Sequence, residues 1–232
     1  MSLAQTHQRR IRAERAKQEA QATLAAQRGM GRFFAQKNWD LLNDSLAADL
    51  KSLTTVPQGD RRTERKKKLL NVYLPELADY LADDSACYEN LVFSWCLVWA
   101  FDVADWPTAF KLAKIARTRD LHLPTPPFKA DYLVANFAAD AVADFADLAY
   151  KNGAESCAIF TAEYDHVMLD TQVHDVVKMR YAKLAAKFAE RVGDWSKCKE
   201  LAELAAQICP AKAQVKTLIA KCQKQLAGSP EA

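Results

Sequence analysis

The chain has 232 residues, of which 50% are apolar and 26% are charged. This composition excludes an intrinsically disordered chain, because such chains hold too little apolar surface to bury. No run of about 18 apolar residues occurs, so no membrane-spanning helix is expected. The basic N-terminus lacks the apolar core of a secretory signal, which favours a cytoplasmic location. Only six glycines and eight prolines interrupt a sequence rich in Ala, Leu, Lys, Glu and Gln, and this predicts an all-α fold.

Positive charge is concentrated near the start of the chain. Residues 1–70 hold 15 Lys and Arg against 7 Asp and Glu, a formal charge of +8, whereas the remainder holds 17 against 22, a charge of −5. Two clusters carry the excess: Arg9, Arg10, Arg12, Arg15 and Lys17, and then Arg61, Arg62, Arg65, Lys66, Lys67 and Lys68. Such clusters suit DNA phosphates, because each neutralised phosphate releases condensed counterions and arginine contacts phosphate bidentately. RNA, an anionic membrane or a solvated helix face would leave the same charge pattern.

The N-terminal part of the chain predicts two helices and a linker. Residues 4–28 lack an apolar stripe and favour a solvated helical arm, which ends at the glycines that follow. Residues 40–53 carry leucines at helical spacing, and we expect their face to be buried. Residues 54–60 contain proline and glycine and are interpreted as a linker. We therefore divide the chain into a basic helical region, 1–60, for DNA binding or oligomerisation, and a helical-hairpin domain, 61–232.

Apolar periodicity and helix breakers predict further helices beyond the linker. The second basic cluster leads into an apolar helix, which Pro75 is expected to kink or restart. Residues 121–127 contain three prolines and predict a rigid loop, and residues 128–151 predict a helix that ends before Gly153. A last helix over residues 211–226 has an apolar face and is expected to cap the bundle.

An internal repeat with an offset of 89 residues runs through this domain. Ala100-Phe-Asp-Val-Ala-Asp-Trp106 aligns with Ala189-Glu-Arg-Val-Gly-Asp-Trp195, and beyond them Leu112, Ala113 and Ala116 align with Leu201, Ala202 and Ala205. Each copy predicts an apolar helix, a tight turn, an aromatic residue and a second helix whose small residues allow close approach. This arrangement is typical of tetratricopeptide-like helical hairpins. Two copies are too few for a solenoid, so we predict two hairpins within one helical bundle.

Two rows of polar residues are candidates for a metal site. The rows are Asp140, Asp144 and Asp147, and His166, Asp170 and His174. Carboxylates that share a helix face bind divalent cations in nucleases, although a solvated face is the commoner explanation. The second row shares a face only if one helix runs through it, and a helix start at Thr171 would separate its members. The six cysteines form no Cys-x-x-Cys pair and are interpreted as apolar filler, and no catalytic motif or cofactor is predicted.

Several motifs resemble, in order and spacing, the small terminase subunit family of P-two-like tailed phages, called the gpM family. Arg65-Lys-Lys-Lys-Leu-Leu-Asn-Val-Tyr-Leu-Pro75 is similar to that family's basic run before an apolar segment ending in Leu-Pro. Residues 99–116, through Asp105-Trp106, are similar to its first helical hairpin, and Thr125-Pro-Pro-Phe128 is similar to its proline loop. Ala4-Gln-Thr-His7 with Arg10 resembles its N-terminal arm, and Gly193-Asp194 falls in its second hairpin.

The resemblance implies a role in packaging viral DNA. It implies recognition of the cohesive-end packaging site on double-stranded phage DNA and presentation of that site to the large subunit, which carries the ATPase and nuclease chemistry. It also implies a homo-oligomer, as a ring, in the host cytoplasm, with the two basic clusters as the DNA-binding residues. Two alternatives stay open: a metal-dependent endonuclease subunit that cuts the packaging site itself, and a helical interaction module that binds no DNA.

Overall fold

The computed structural model describes residues 39–83 and 86–228, and these residues form helices without any strand. The all-α fold class is therefore confirmed. The predicted arm over residues 4–28 lies outside the described residues. Within the part of the chain that is described, no helix is long and apolar enough to cross a membrane.

The chain divides into two compact units, Met1–Pro57 and Gln58–Ala232. In the first unit, residues 39–54 form helix α1. Its predicted apolar face is confirmed, because Leu46 and Leu53 are buried and Leu42 and Leu50 are half-buried, whereas Leu41 beside them is exposed. The helix ends in a turn in which the Thr55 N–H donates to the carbonyl of Ser52.

The second unit is a bundle of helices that pack in three overlapping groups. The helices are α2 (Asp60–Glu76), α3 (Ala78–Ala82), α4 (Leu91–Asp102), α5 (Trp106–Thr118), α6 (Val134–Lys151), α7 (Ala158–Leu169), α8 (Asp175–Arg191), α9 (Trp195–Ile208), α10 (Pro210–Ala213) and α11 (Lys216–Gly228). Helix α4 packs against α2, α5 and α6. One apolar core joins α6, α7 and α8, and another joins α8 to α9, α10 and α11. Helix α2 ends one residue after Pro75 and α3 begins two residues later, as a restart at the proline predicts.

Helix α4 lies at the centre of the first group because it is apolar on every side. Nine of its twelve residues are buried. Trp99 is fully buried, and its ring centroid lies 6.0 Å from that of Tyr73 on α2. The buried guanidinium of Arg119, the residue that follows α5, donates to the carbonyl of Tyr80 at 2.9 Å and so satisfies a backbone carbonyl near the end of α3. These contacts fix the C-terminal half of α2 against the rest of the bundle.

The two copies of the internal repeat form two helical hairpins with the same turn. The first hairpin is α4–α5 and the second is α8–α9. At the second position of the turn, Ala104 has φ 58° and Gly193 has φ 78°. Asp105 and Asp194 then cap the second helix, accepting from the backbone N–H three residues later at 3.4 and 2.9 Å. The two predicted hairpins are confirmed, and their similarity to tetratricopeptide hairpins stays a prediction.

Two predicted helix boundaries are wrong. Helix α6 begins at Val134 rather than at residue 128, because Phe128 folds back and packs its ring 5.2 Å from that of Phe137. The predicted helix over residues 211–226 is broken at Gln214, which has φ 50° and separates α10 from α11. Ala213 and Val215 are both buried on either side of the break. Residues two apart point to different faces of a continuous helix, so the break allows both to reach the core.

Candidate nucleic-acid interface

The second basic cluster forms the first turns of α2. The helix begins after Gly59, and its C-terminal half is anchored in the core by Leu69, Leu70 and Tyr73. The residues between carry six cations, Arg61, Arg62, Arg65, Lys66, Lys67 and Lys68. A helix anchored at one end therefore holds a group of cations at its other end, as the sequence predicts.

Helical spacing places five of these six cations on two sides of α2, and Lys67 is exposed between them. Arg61, Arg65 and Lys68 are spaced i, i+4 and i+7 and share one face. Arg62 and Lys66 lie on the side of the buried residues and are half-buried. Arg61 and Lys68 are exposed. The cluster is therefore not a uniform patch, and its members have different surroundings.

Three of the cations already interact with other groups of the chain. The Nζ of Lys66 lies 2.6 Å from Oδ2 of Asp102, at the end of α4. The Nζ of Lys67 lies 2.8 Å from Oε1 of Glu64, and this hydrogen bond and charge lower the pKa of the Glu64 carboxyl. Arg65 also interacts with another group. Arg61 and Lys68 have no ion pair with any residue that the structure describes. Arg62 has no ion pair among the described residues either, but its Nε is buried, so Arg61 and Lys68 are the exposed cations of α2 without an ion pair.

The first basic cluster cannot be compared with the second in the same way. Its members, Arg9, Arg10, Arg12, Arg15 and Lys17, lie outside the described residues. Their role as DNA-binding residues stays a prediction.

The aspartate row on α6 is paired with basic side chains. Arg180 on α8 lies between two of its carboxylates, with Nη1 3.1 Å from Oδ1 of Asp140 and Nη2 bonded to Asp144. Asp147 pairs with Lys151 at 2.6 Å, and a second lysine on α8 lies nearby. The predicted common face is confirmed, and the groups that occupy it are a guanidinium and two ammonium groups. The sequence gives no signal for the guanidinium pairing, since the partners lie about 40 positions apart.

His166, Asp170 and His174 do not lie on one helix, which agrees with the alternative that the sequence left open, a helix break near Thr171. Helix α7 ends at Leu169, Asp170 follows it, and His174 precedes the first residue of α8. The reason is the fully buried Asn136, whose Oδ1 accepts from the His174 N–H at 2.8 Å and whose amide donates to the Gln172 carbonyl at 3.3 Å. This pairing satisfies a buried amide by holding the chain in a turn.

Asp170 is also engaged by a cation. Its Oδ2 lies 2.8 Å from Nη1 of Arg117, and its Oδ1 accepts from the backbone N–H of Gln172 at 2.9 Å. Among residues 39–83 and 86–228, no group of three or more His, Cys, Asp or Glu side chains is arranged to hold a metal ion. The cysteine interpretation is confirmed for the four that are buried, Cys96, Cys157, Cys198 and Cys222, whereas Cys87 is exposed.

Comparison with known proteins places the chain in a family. A family model described as phage small terminase subunit matches residues 44–176, more than half of the chain. The chain is similar to a "Probable terminase, endonuclease subunit" of Haemophilus phage HP1 (strain HP1c1), with 26% identity over 185 residues that cover 73% of this chain and 63% of the relative. It thus spans less than two thirds of that relative's length. No solved structure matches the chain. The family match contains the basic end of α2 and the first hairpin, and the chain belongs to the phage small terminase subunit family.

Proposed function

We propose that the chain is the DNA-recognising subunit of a terminase and that it binds double-stranded phage DNA through the exposed cations of α2. The observation that supports this proposal is the pair Arg61 and Lys68, which are exposed and without an ion pair among the described residues. Both lie inside the family match. A phosphate backbone compensates such charges and releases its own counterions, which favours binding.

The distribution of charge along the chain also favours contact between the DNA and the basic end of α2. Residues 71–232 carry a formal charge of −5, whereas residues 1–70 carry +8. An acidic surface repels the phosphate backbone, so contact through the basic end of α2 has the lowest electrostatic cost. The basic N-terminal region, 1–60, is proposed as a second DNA-binding or oligomerisation region beside the helical-hairpin domain, 61–232.

The remaining parts of the proposal follow from the family. They are recognition of the cohesive-end packaging site, presentation of that site to the large subunit with its ATPase and nuclease chemistry, assembly into a homo-oligomeric ring, and action in the host cytoplasm. A mass measurement of the assembly, with and without packaging-site DNA, tests the ring.

DNA binding is tested with the double variant Arg61→Ala/Lys68→Ala. We expect its affinity for a duplex that contains the packaging site to fall about tenfold near physiological salt. The slope of log K against log salt should fall by about two units, because two phosphate contacts are lost. Fluorescence anisotropy at several salt concentrations measures both quantities.

The matched control is Lys212→Ala/Lys216→Ala, which removes the same charge from two exposed lysines near the C-terminus. It should keep the wild-type slope. Equal losses in both variants would mean that net charge alone attracts the DNA, and a wild-type chain that does not bind the duplex would contradict the proposal.

A second candidate function is suggested by the printed name of the relative, which calls it an endonuclease subunit. A metal-dependent endonuclease would have to use carboxylates such as Asp170, whose two oxygens are engaged by Arg117 and a backbone N–H. We expect the purified chain to leave packaging-site DNA intact in magnesium or manganese. Cutting that Asp170→Ala abolishes would establish the endonuclease instead.

A further inference from the structure

An aromatic groove lies on the second unit beside the turn of the first hairpin. Its volume is about 590 Å³, and it runs between the end of α4, the start of α5 and one face of α6. Phe101, Trp106 and Phe137 form its floor, and Phe145 and Leu148 form its outer wall. The aromatic rings hold one another in place, with centroids 5.3 Å apart for Phe101 and Phe137 and 5.2 Å apart for Trp106 and Phe145. The groove is thus formed before anything binds.

The outer wall of the aromatic groove exposes apolar surface. Phe145 is 41% exposed and Leu148 is 57% exposed. They are spaced i, i+3 on α6, so they present one continuous apolar edge. A pair of large side chains beside a preformed groove is a site for the apolar anchor of a partner, whose burial would remove this edge from water.

The polar rim of the groove is acidic. Asp140 and Asp144 share the single guanidinium of Arg180, so one carboxylate charge is left over. The side chain of Asp144 is 73% exposed. At the other end, Asp102 lines the groove and pairs with Lys66 of α2. A surface of this sign repels nucleic acid and attracts cationic side chains.

The second hairpin shows which chemical group packs on the tryptophan at this position of the repeat. Trp195 is the counterpart of Trp106, and the Nζ of Lys221 on α11 lies 5.3 Å from its ring centroid. The same ammonium pairs with Glu190 at 2.7 Å. Three aromatic rings pack against Trp106, and no cation lies over its ring among the described residues. A cation above an aromatic face beside a carboxylate is a favourable arrangement, and the groove offers it to a partner.

We infer that the aromatic groove binds an amphipathic segment of a partner protein, with an apolar anchor between Phe145 and Leu148 and lysine or arginine residues toward Asp144 and Trp106. The apolar wall selects the anchor and the acidic rim selects the cations. The inference does not depend on DNA binding by α2.

The test uses the full chain and a fluorescent helical peptide of about 14 residues. Its leucines and one tryptophan are spaced i, i+3, i+4 and i+7, and its other positions are lysine. A second peptide has glutamate in place of every lysine. We expect micromolar binding of the cationic peptide, measured by fluorescence anisotropy, and binding of the acidic peptide at least about tenfold weaker.

The discriminating variant is Leu148→Glu. Its added negative charge would strengthen a nonspecific attraction to lysines, whereas loss of the apolar edge should weaken groove binding by at least about tenfold. The matched control is Leu169→Glu, which adds the same charge at a leucine that is 81% exposed at the end of α7 and should bind as the wild type does. Asp144→Asn should weaken binding by about threefold.

Three results of the peptide assay would overturn the inference. They are tighter or equal binding by Leu148→Glu, an equal loss in Leu169→Glu, and equal affinity for the two peptides. Concentration-dependent self-association that Leu148→Glu abolishes would also overturn it, because the groove would then hold a second copy of the chain. The Arg61→Ala/Lys68→Ala variant should bind the peptide normally, so failure of DNA binding and failure of the groove are distinguishable.

Discussion

The two helical hairpins share a turn and differ in their surroundings. In both, the first helix ends with an aspartate N–H bonded to a carbonyl five residues earlier, at 2.9 Å in each copy. The buried residues of the second helix occupy equivalent positions in the two hairpins: Ala109, Leu112, Ala113 and Ala116 in α5, and Cys198, Leu201, Ala202 and Ala205 in α9. The repeated residues therefore specify the turn and the helix pairing, which are local interactions.

The first helices of the two hairpins show what is not repeated. Nine of twelve residues are buried in α4, against eight of seventeen in α8. Helix α4 packs on α2, α5 and α6 with large side chains, whereas α8 approaches α9 through Ala182 and Ala186. The same hairpin thus forms around a bulky central helix in one copy and around an alanine-rich helix in the other. We expect the first hairpin to be the more sensitive to the loss of a large core residue.

The largest expected effect on the free energy of unfolding comes from removing the buried aromatic side chain that precedes each turn. Trp99 and Phe188 occupy equivalent positions, and they are 0% and 8% exposed. Trp99→Ala should lower the free energy of unfolding by about 5 kcal/mol and Phe188→Ala by about 3 kcal/mol, because the larger, fully buried ring leaves the larger cavity. Urea denaturation measures both values.

A conservative variant tests whether the lost side-chain volume accounts for the destabilisation by Trp99→Ala. The indole N–H of Trp99 has no hydrogen-bond partner among the described residues, so Trp99→Phe loses no hydrogen bond and should cost about 1 kcal/mol. Equal losses for Trp99→Ala and Phe188→Ala would remove the distinction between the two hairpins.

An intermediate effect is expected from a buried thiol in α4. Burial raises the pKa of the Cys96 thiol from 9.0 to about 12, and its counterpart in α8 is Ala185. In the unfolded chain the thiol ionises near pH 9, while the folded chain keeps the proton. The Cys96 thiol should therefore leave the free energy of unfolding unaffected below pH 9 and should by itself lower it by about 1.4 kcal/mol per pH unit between pH 9 and 12.

Cys96→Ala tests this assignment through a pH series of urea denaturation curves. The variant should have a shallower decline of stability above pH 9. A decline remains, because burial also raises the pKa of the Cys198 thiol to about 12 and raises the pKa of the Tyr181 phenol. Cys87→Ala is the control, because its thiol is exposed. An unchanged slope in Cys96→Ala would mean that its thiol ionises in the folded chain.

The hairpins were predictable from the sequence because their determinants are local. An aspartate cap, a small residue with positive φ and a row of small side chains act within one turn or one helix pair. The start of α6 and the break at Gln214 were not predictable, since they depend on Phe128 reaching Phe137 and on two core positions being filled together. These contacts involve packing that no local propensity encodes.

The candidate nucleic-acid interface also combines features that local sequence predicts with features that depend on distant contacts. The sequence predicts where the second basic cluster lies, on the first turns of α2. It does not predict that Lys66 pairs with Asp102, 36 residues away, or that Arg61 and Lys68 stay exposed. The sequence likewise left the surroundings of the two candidate metal rows open, because Arg180 and Asn136 reach them from distant parts of the chain.

The smallest expected effect on the free energy of unfolding comes from a reciprocal pair of substitutions in the turn that the two hairpins share. Ala104 and Gly193 occupy the same position with φ 58° and 78°, where alanine is strained and glycine is not. A Cβ at position 193 would meet no atom within 4 Å, so Gly193→Ala adds backbone strain alone. We expect it to lower the free energy of unfolding by about 1 kcal/mol.

Ala104→Gly should act in the opposite direction, raising the free energy of unfolding by up to about 1 kcal/mol. The gain is smaller than the loss in Gly193→Ala, since Ala104 is half-buried and its methyl group is removed from the edge of the aromatic groove. Thermal denaturation of both variants and of the double variant measures the two effects. If both substitutions destabilise, then packing around Ala104 outweighs its backbone strain, and the two turns are alike in hydrogen bonding but not in energy.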